Sequence, residues 1–395
     1  MDHASEGSRA IVEQRFSRPS RVLVVGAGIC GLAVAWRLAD AGLRVRVVDR
    51  GAPGREATWA AGGMLAATLE AEPGEEGMVA LARWSQGLWP GWAARLAAAS
   101  GIDIGYRGDG TLQVATTRDE LAALRHRHAF LTRLGLPVEW WDGGRLRGDE
   151  PGLSPDALAA IASPGDHQVD PRAVVPALLA ACAAAGVEVS PRRAVTAVRR
   201  DGAAWTATCA DGSGEGADAL VVAAGSWSAS IDGLAPADRP PVRPAKGQAV
   251  VLKMDPAAPL VRHVIWGAGV YLVPRADGRL YVGATVEDRG FDRAPTAGGL
   301  LSLLEGAWRL VPGLEELAVA ELVTGLRPRS RDDLPIVGPG AAPGLHFATG
   351  HHRNGILLAP ATAEIVAAGI LGGTPPVGAA AFALDRFTKE VATPR

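Results

Sequence analysis

Three glycines near the start of the chain have the spacing of a phosphate-binding loop. Gly26, Gly28 and Gly31 form the pattern Gly-x-Gly-x-x-Gly, with an apolar run before them and a helical pattern after them. Such a loop lets the backbone approach a pyrophosphate, which the N–H groups at the helix start can bind. Asp49 follows at the end of the next apolar run, where its carboxylate would accept hydrogen bonds from a ribose hydroxyl. The pattern predicts a dinucleotide site and does not by itself distinguish NAD from FAD.

Two arginines in the C-terminal part are candidates for binding an anion. Arg353 lies in a loop just ahead of a predicted helix, and a cation beside a helix N-terminus makes an anion pocket. Arg327, in the segment Gly-Leu-Arg-Pro, is a second candidate. The alternative for each is a solvated surface side chain, the commoner situation of a single arginine. His351 and His352 are either an acid–base pair or residues that shape this loop, and we favour the second interpretation.

A run of small residues at positions 56–65 follows the second apolar run closely. It reads Glu-Ala-Thr-Trp-Ala-Ala-Gly-Gly-Met-Leu. Small residues in series let a planar ring lie against the backbone, where N–H groups can meet ring heteroatoms. On composition alone, the start of an Ala/Gly-rich helix explains the run better.

The elements that must position these residues begin with a right-handed βαβ unit at residues 21–49. A buried strand at residues 220–223 and a terminal strand, loop and helix (residues 345–349, 350–355 and 356–371) are expected to join the same parallel sheet. Residues 105–116 alternate like a strand pair, and residues 243–286 are β-rich.

The fold class that follows is α/β, with a Rossmann-like parallel-sheet domain for the dinucleotide and an antiparallel, β-rich domain for the substrate. Both domains are discontinuous in sequence, and small-molecule sites are usual at such a boundary. The expected division is a disordered arm at 1–17, a dinucleotide-binding domain at 18–100, 160–240 and 325–395, and a substrate-binding domain at 101–159 and 241–324.

Composition excludes several classes of protein. The net charge of −2 gives no reason to expect nucleic acid or an anionic membrane as a partner. Three cysteines without Cys-x-x-Cys spacing argue against a metal site and a disulfide framework, and they suit the cytoplasm. The first 20 residues lack the apolar stretch of a signal peptide. We therefore expect a cytoplasmic enzyme, active as a homo-oligomer.

Taken together, these motifs resemble the glycine oxidases of thiamin biosynthesis, FAD enzymes of the D-amino-acid oxidase superfamily. The resemblance covers residues 21–387, and the Arg-Asn-Gly-Ile-Leu-Leu-Ala-Pro string at 353–360 is its most specific part. The other motifs that carry it are the glycine loop, Ala-Ala-Gly-Gly-Met-Leu at 60–65, Tyr-Leu-Val-Pro-Arg at 271–275, Gly-Ala-Thr at 283–285 and Gly-Leu-Arg-Pro at 325–328.

The resemblance implies roles for particular residues. Arg327 and Arg353 would hold the substrate carboxylate, and Tyr271 would line the substrate pocket. No side-chain acid or base is required at the reacting carbon. The implied contacts to FAD are Gly26, Gly28, Ile29, Cys30, Gly31, Asp49, Arg50, Ala57, Thr58, Gly62, Gly63, Met64, Val195, Gly225, His351, Arg353, Asn354, Gly355, Ile356 and Leu357.

The implied reaction is hydride transfer from the α-carbon of glycine to flavin N5, with dioxygen as the final acceptor and peroxide as a product. Val286 and Gly269 depart from the residues of some relatives and would widen the pocket, so sarcosine or D-alanine are possible substrates. No cysteine lies in a segment where related enzymes attach flavin, which predicts non-covalent FAD. The alternatives are a broader D-amino-acid or sarcosine oxidase, a quinone-linked dehydrogenase, and an FAD-carrying subunit of a hetero-complex.

Overall fold

The structure is a computed structural model that describes residues 19–374 and 378–389. The expected disordered arm at 1–17 lies outside these residues. So do residues 375–377 and 390–395 at the end of the expected dinucleotide-binding domain.

The helices are α1 (Ile29–Asp40), α2 (Glu76–Ser100), α3 (Arg118–Arg133), α4 (Gly143–Asp149), α5 (Pro171–Ala184), α6 (Ala297–Leu310), α7 (Ala359–Leu371) and α8 (Arg386–Lys389). Short 3-10 helices lie at Gly225–Ser230, Pro236–Asp238, Pro312–Glu316 and Ala379–Phe382. The strands are β1 (Arg21–Val25), β2 (Arg44–Val48), β3 (Met64–Leu65), β4 (Thr111–Ala115), β5 (Glu139–Asp142), β6 (Ala159–Ser163), β7 (His167–Gln168), β8 (Glu188–Ser190), β9 (Val195–Asp201), β10 (Ala204–Cys209), β11 (Gly214–Ala217), β12 (Ala219–Val222), β13 (Val242–Lys253), β14 (Val264–Gly267), β15 (Val270–Pro274), β16 (Arg279–Gly283), β17 (Ala318–Ser330), β18 (Ile336–Pro339) and β19 (Leu345–Thr349).

A six-stranded sheet carries the dinucleotide motif, in the order β18-β19-β12-β1-β2-β8. All its pairings are parallel except that of β18 with β19. Its central strands are buried on both faces, which explains the continuous apolar runs of β1 and β12. The predicted sharing of one parallel sheet by β1, β12 and β19 is confirmed.

An eight-stranded, mainly antiparallel sheet forms the second layer, in the order β17-β13-β16-β15-β14-β4-β6-β5. Only the pairing of β14 with β4 is parallel among the described strands of this sheet. Helix α6 packs on it through Leu303, Ala307 and Leu310. This confirms the α/β class with a β-rich second part. The domain boundaries stay a prediction, and β6 and β17 each run across an expected boundary.

Two details of the predicted elements are wrong. Residues 105–116 contain one strand, β4, and not a pair, because Gly105 and Gly110 have positive φ values of 63° and 86° that break the extended run. Helix α7 begins at Ala359, three residues later than expected at Ile356. The intervening residues form turns, and Pro360 occupies the first helical turn, where a missing N–H is tolerated.

Within the described ranges, no helix is both long enough and apolar enough to cross a membrane.

Candidate active site

The glycine loop is packed so tightly that only glycine fits at two of its positions. A Cβ added at Gly26, whose φ is 114°, would lie 2.3 Å from the carbonyl oxygen of Ala223. A Cβ at Gly31 would lie 1.9 Å from the carbonyl oxygen of Gly26. Loop, helix and the neighbouring strand therefore meet at backbone distance, as a dinucleotide loop requires.

The start of α1 has the form of an anion site. Its first flanking residue, Gly28, is extended, and no side chain of its own caps the helix. Free N–H groups and the helix dipole favour a phosphate at such a terminus. The hydroxyl of Thr58 accepts a hydrogen bond from Ile29 N at 3.2 Å, which joins the small-residue run to the loop. A pyrophosphate fits here.

Asp49 follows β2 and lies against the glycine loop. One carboxylate oxygen accepts a hydrogen bond from Ala27 N at 2.7 Å, and the other accepts one from Gly51 N at 2.7 Å. A carboxylate oxygen has more than one acceptor position, so these contacts leave capacity for a ribose hydroxyl. The ribose contact itself stays a prediction.

A cavity of about 430 Å³ extends from the glycine loop to the β-rich sheet. It brings together residues predicted from distant parts of the sequence. The predicted site residues that line it are Gly28, Ile29, Cys30, Ala57, Thr58, Gly62, Gly63, Met64, Tyr271, Arg327, His351, Arg353, Gly355 and Ile356.

The other predicted contacts lie apart from this lining. Asn354 and Leu357 belong to the turns before α7, and the carbonyl oxygen of Leu357 accepts hydrogen bonds from Ser85 Oγ at 2.7 Å and Trp89 Nε1 at 2.8 Å. Arg50 pairs with Glu56 and stacks on the Trp227 ring. The remaining predicted contacts outside the lining are Gly26, Gly31, Asp49, Val195 and Gly225.

A buried arginine that sequence reasoning missed anchors the small-residue run. Arg275, at the end of the Tyr-Leu-Val-Pro-Arg segment, donates hydrogen bonds to the carbonyl oxygens of Gly62 and Val169 and to the side chain of Gln168. Burial lowers the pKa of Arg275 to about 10, so it remains charged at neutral pH. It fixes the run of small residues that forms one wall of the cavity.

Arg327 enters the cavity from β17. Its Nη1 donates to the carbonyl oxygen of Thr285 at 2.9 Å, and it has no carboxylate within ion-pair distance among the residues that the structure describes. A Cβ at Gly247, on the paired strand β13, would lie 2.1 Å from this guanidinium, so the glycine provides its space. Arg327 is therefore a positive charge available to a ligand.

Tyr271 lies beside Arg327 and is stacked on Tyr281, with ring centroids 6.1 Å apart. Burial raises the pKa of both phenols, so both are neutral donors at physiological pH. Tyr281 donates to the carbonyl oxygen of Ala60 at 2.5 Å and faces the same cavity. Sequence reasoning missed Tyr281, although its alternation with Gly283 on β16 placed it on the same face.

Arg353 is already paired. Its Nε lies 2.9 Å from Glu70 Oε2, and its Nη2 lies 3.9 Å from Glu75 Oε2. Glu70 lines the cavity, and burial raises its pKa while Arg353 opposes that rise. Sequence reasoning missed Glu70, whose only signal is an acidic side chain five residues after Leu65.

The two histidines ahead of Arg353 have structural partners. His351 is buried and its Nε2 lies 2.8 Å from Thr362 Oγ1. The backbone N–H of His352 donates to the carbonyl oxygen of Pro328 at 2.8 Å, and its φ of 47° belongs to a turn. Burial lowers the pKa of each imidazole to about 4. Both are neutral at physiological pH, which favours the loop-shaping interpretation.

The two departures from the relatives lie at the mouth of the cavity. Gly269 forms the β14–β15 turn, and a Cβ there would meet nothing within 4 Å. Val286 lines the cavity with 60% of its surface exposed.

The fold and the cavity together define a class of protein: a dinucleotide-binding oxidoreductase with a small-ligand site between its two sheets. The chain belongs to the family of FAD dependent oxidoreductases (DAO), which it matches over residues 21–368. Its cofactor is FAD, and the open helix start, the glycine loop and the wall of small residues fit that group.

Particular relatives share nearly the whole chain. Glycine oxidase of Geobacillus kaustophilus is 36% identical over 88% of this chain and 91% of its own length. The crystal structure of that enzyme superposes with a TM-score of 0.87, covering 93% of this chain and 99% of that one. The bifunctional protein ThiO/ThiG of Trichormus variabilis is 33% identical over 94% of this chain and 56% of its own length. Iminodiacetate oxidase of Chelativorans sp. BNC1 is 28% identical, with a TM-score of 0.84 over 92% and 98% of the two chains.

Proposed function

We propose that this chain is an FAD-dependent oxidase of glycine and other small amino acids, and that it acts in the formation of the thiamin thiazole. The observation that carries the proposal is Arg327, a guanidinium that lines the cavity and has no carboxylate partner among the described residues. The sequence similarity to glycine oxidase and to the bifunctional protein ThiO/ThiG supports the substrate and the pathway.

In this proposal Arg327 binds the substrate carboxylate, and the neutral phenol of Tyr271 lies beside it. Because Arg353 is paired with Glu70, we assign most of the binding of the carboxylate to Arg327. A fixed carboxylate places the α-carbon in one position relative to the wall formed by Gly62 and Gly63, which lowers the entropic cost of reaction.

The remaining chemistry needs orientation more than acid–base catalysis. FAD, when bound, supplies the acceptor for a hydride from the α-carbon and passes the two electrons to dioxygen, giving hydrogen peroxide. The nitrogen lone pair of the neutral amine forms the imine as the hydride leaves. The neutral imidazoles of His351 and His352 place no positive charge beside the amine. The imine is hydrolysed to glyoxylate and ammonia or is consumed in thiazole synthesis.

Peroxide release from the purified holoprotein, without added partners, tests this proposal across glycine, sarcosine, D-alanine and L-alanine. Turnover of glycine with oxygen uptake equal to peroxide release is the expected result. A strong preference for sarcosine or D-alanine would instead identify a broader amine oxidase. Activity that requires a second protein would identify an FAD-carrying subunit, and oxygen-independent turnover with a quinone would identify a dehydrogenase.

A further inference from the structure

The ion pair of Arg353 and Glu70 lies at the cavity, where each side chain contributes to the lining. Arg353 Nε and Glu70 Oε2 are 2.9 Å apart. The glutamate side chain is only 13% exposed, while that of the arginine is 40% exposed. The better buried partner is therefore the acid, and its charge depends on the guanidinium beside it.

The ion pairs around the cavity leave one guanidinium for a ligand. Arg353 is paired with Glu70 at 2.9 Å and more loosely with Glu75 at 3.9 Å. Glu72 also lines the cavity, and it pairs with Arg127 at 3.2 Å. Arg327 is the guanidinium of the described lining that has no carboxylate partner. A ligand with one carboxylate can bind Arg327. A second carboxylate on the ligand would meet the ion pair of Arg353 and Glu70, where the cation is already occupied.

The position of Glu70 is enforced by the segment that carries it. The backbone N–H groups of Thr68 and Leu69 donate to the two carboxylate oxygens of buried Asp166, each at 3.0 Å. These bonds fix the backbone immediately before Glu70. The backbone that carries the acid is therefore held in place beside Arg353.

We propose that Glu70 restricts the site to substrates with a single carboxylate, because it holds Arg353 in an ion pair and prevents this arginine from binding a second one. The inference rests on the proposed function and adds a specificity-determining residue to it. Neutralising Glu70 removes the 2.9 Å partner of Arg353 and leaves its guanidinium only the longer 3.9 Å contact with Glu75, so Arg353 gains donors for a second carboxylate. A dicarboxylic amine such as iminodiacetate becomes a better ligand.

The test is Glu70→Gln in the holoenzyme, with kcat/KM measured for iminodiacetate and for glycine. The ratio of iminodiacetate to glycine is expected to rise about tenfold, which is about 1.4 kcal/mol. This is a modest value for a charge-assisted contact, because Arg353 is partly exposed. A binding measurement without turnover uses flavin absorbance to titrate diglycolate and methoxyacetate, unreactive acids with two and one carboxylates. The affinity ratio should shift by the same factor.

Two further variants separate the mechanism from a general change in charge. Glu72→Gln removes the same charge from the lining and leaves the Arg353 pair intact, so both ratios should keep their wild-type values. Glu70→Gln combined with Arg353→Met should lose the gain. The proposal is overturned if the ratio of kcat/KM for iminodiacetate to that for glycine is the same in wild type and Glu70→Gln. It is also overturned if Glu72→Gln raises this ratio as much as Glu70→Gln does, or if the wild-type enzyme already prefers iminodiacetate. If the enzyme oxidises neither amine, the proposed function fails, and the diglycolate titration still decides the role of Glu70.

Discussion

Replacing Arg327 by Ala tests the residue on which the proposed function depends. Its Nη1 donates to the carbonyl oxygen of Thr285, and its guanidinium lines the cavity beside the phenol of Tyr271. Truncating one partner of a hydrogen-bonded charge pair in a partly closed site costs about 2–4 kcal/mol. That range corresponds to a loss of roughly 30- to 1000-fold in kcat/KM for glycine. Arg327→Lys should recover only part of this, because an ammonium lacks the planar two-donor fork.

The assay is steady-state peroxide release, with bound FAD measured from the visible absorbance of each variant. Small amines without a carboxylate should lose much less than glycine loses, because they do not use the guanidinium. Arg329→Ala is the matched control, since Arg329 lies two residues along β17 and pairs with Asp333 at 2.5 Å outside the cavity lining. An Arg327→Ala enzyme that binds FAD normally and oxidises glycine at near wild-type efficiency would refute the carboxylate role.

Three further predictions concern the cofactor and stability. Acid precipitation should release all FAD into the supernatant, because burial raises the pKa of the cavity-lining Cys30 thiol to about 12 and so disfavours its attack on the flavin. Flavin that stays with the precipitated chain would contradict this. Asp49→Ala should weaken FAD binding by about 1.5–3 kcal/mol, roughly 10- to 150-fold in Kd, in a fluorescence titration of the apoprotein. An unchanged Kd would show that Asp49 does not bind FAD. Burial raises the pKa of Asp166 to about 6 in the folded protein, whereas an exposed aspartate titrates with a pKa of ~3.9. The folded state therefore binds the proton more tightly than the unfolded state does. This contribution to the free energy of unfolding is complete below pH ~3.9 and is lost as the pH rises through about 6. The free energy of unfolding of Asp166→Asn, measured with urea, should lack that part of the pH dependence. If this free energy changes equally with pH in the two proteins between about pH 4 and 7, Asp166 does not titrate as described.

The parts of the fold that the sequence predicted are those set by local pattern. The βαβ unit follows from an apolar run, a glycine loop and a helical period within 30 or so residues, about the length of such a motif. Glycine is required at positions 26 and 31 because neighbouring backbone atoms leave no room for a Cβ there, as the motif predicts. The strand at 345–349 was also found, because it is a short apolar run bounded by turn residues.

The parts that could not be predicted depend on contacts between distant segments. Glu70 and Arg353 are separated by 283 positions, and Arg275 reaches Gly62 across 213 positions. Pairing of this kind is decided by the tertiary fold, and no periodicity in one segment reports it. The sequence predicts Arg353 at the cavity, where the structure places it, but not its buried carboxylate partner, and its contact with a substrate stays a prediction.

Anaerobic mixing of the purified holoprotein with glycine tests the central claim most directly. The flavin absorbance should bleach in a reaction that saturates with glycine, and admission of air should restore the colour with formation of hydrogen peroxide and glyoxylate in equal amounts. A flavin that stays oxidised with glycine, sarcosine and D-alanine alike would contradict the assignment of this site to small amino acids.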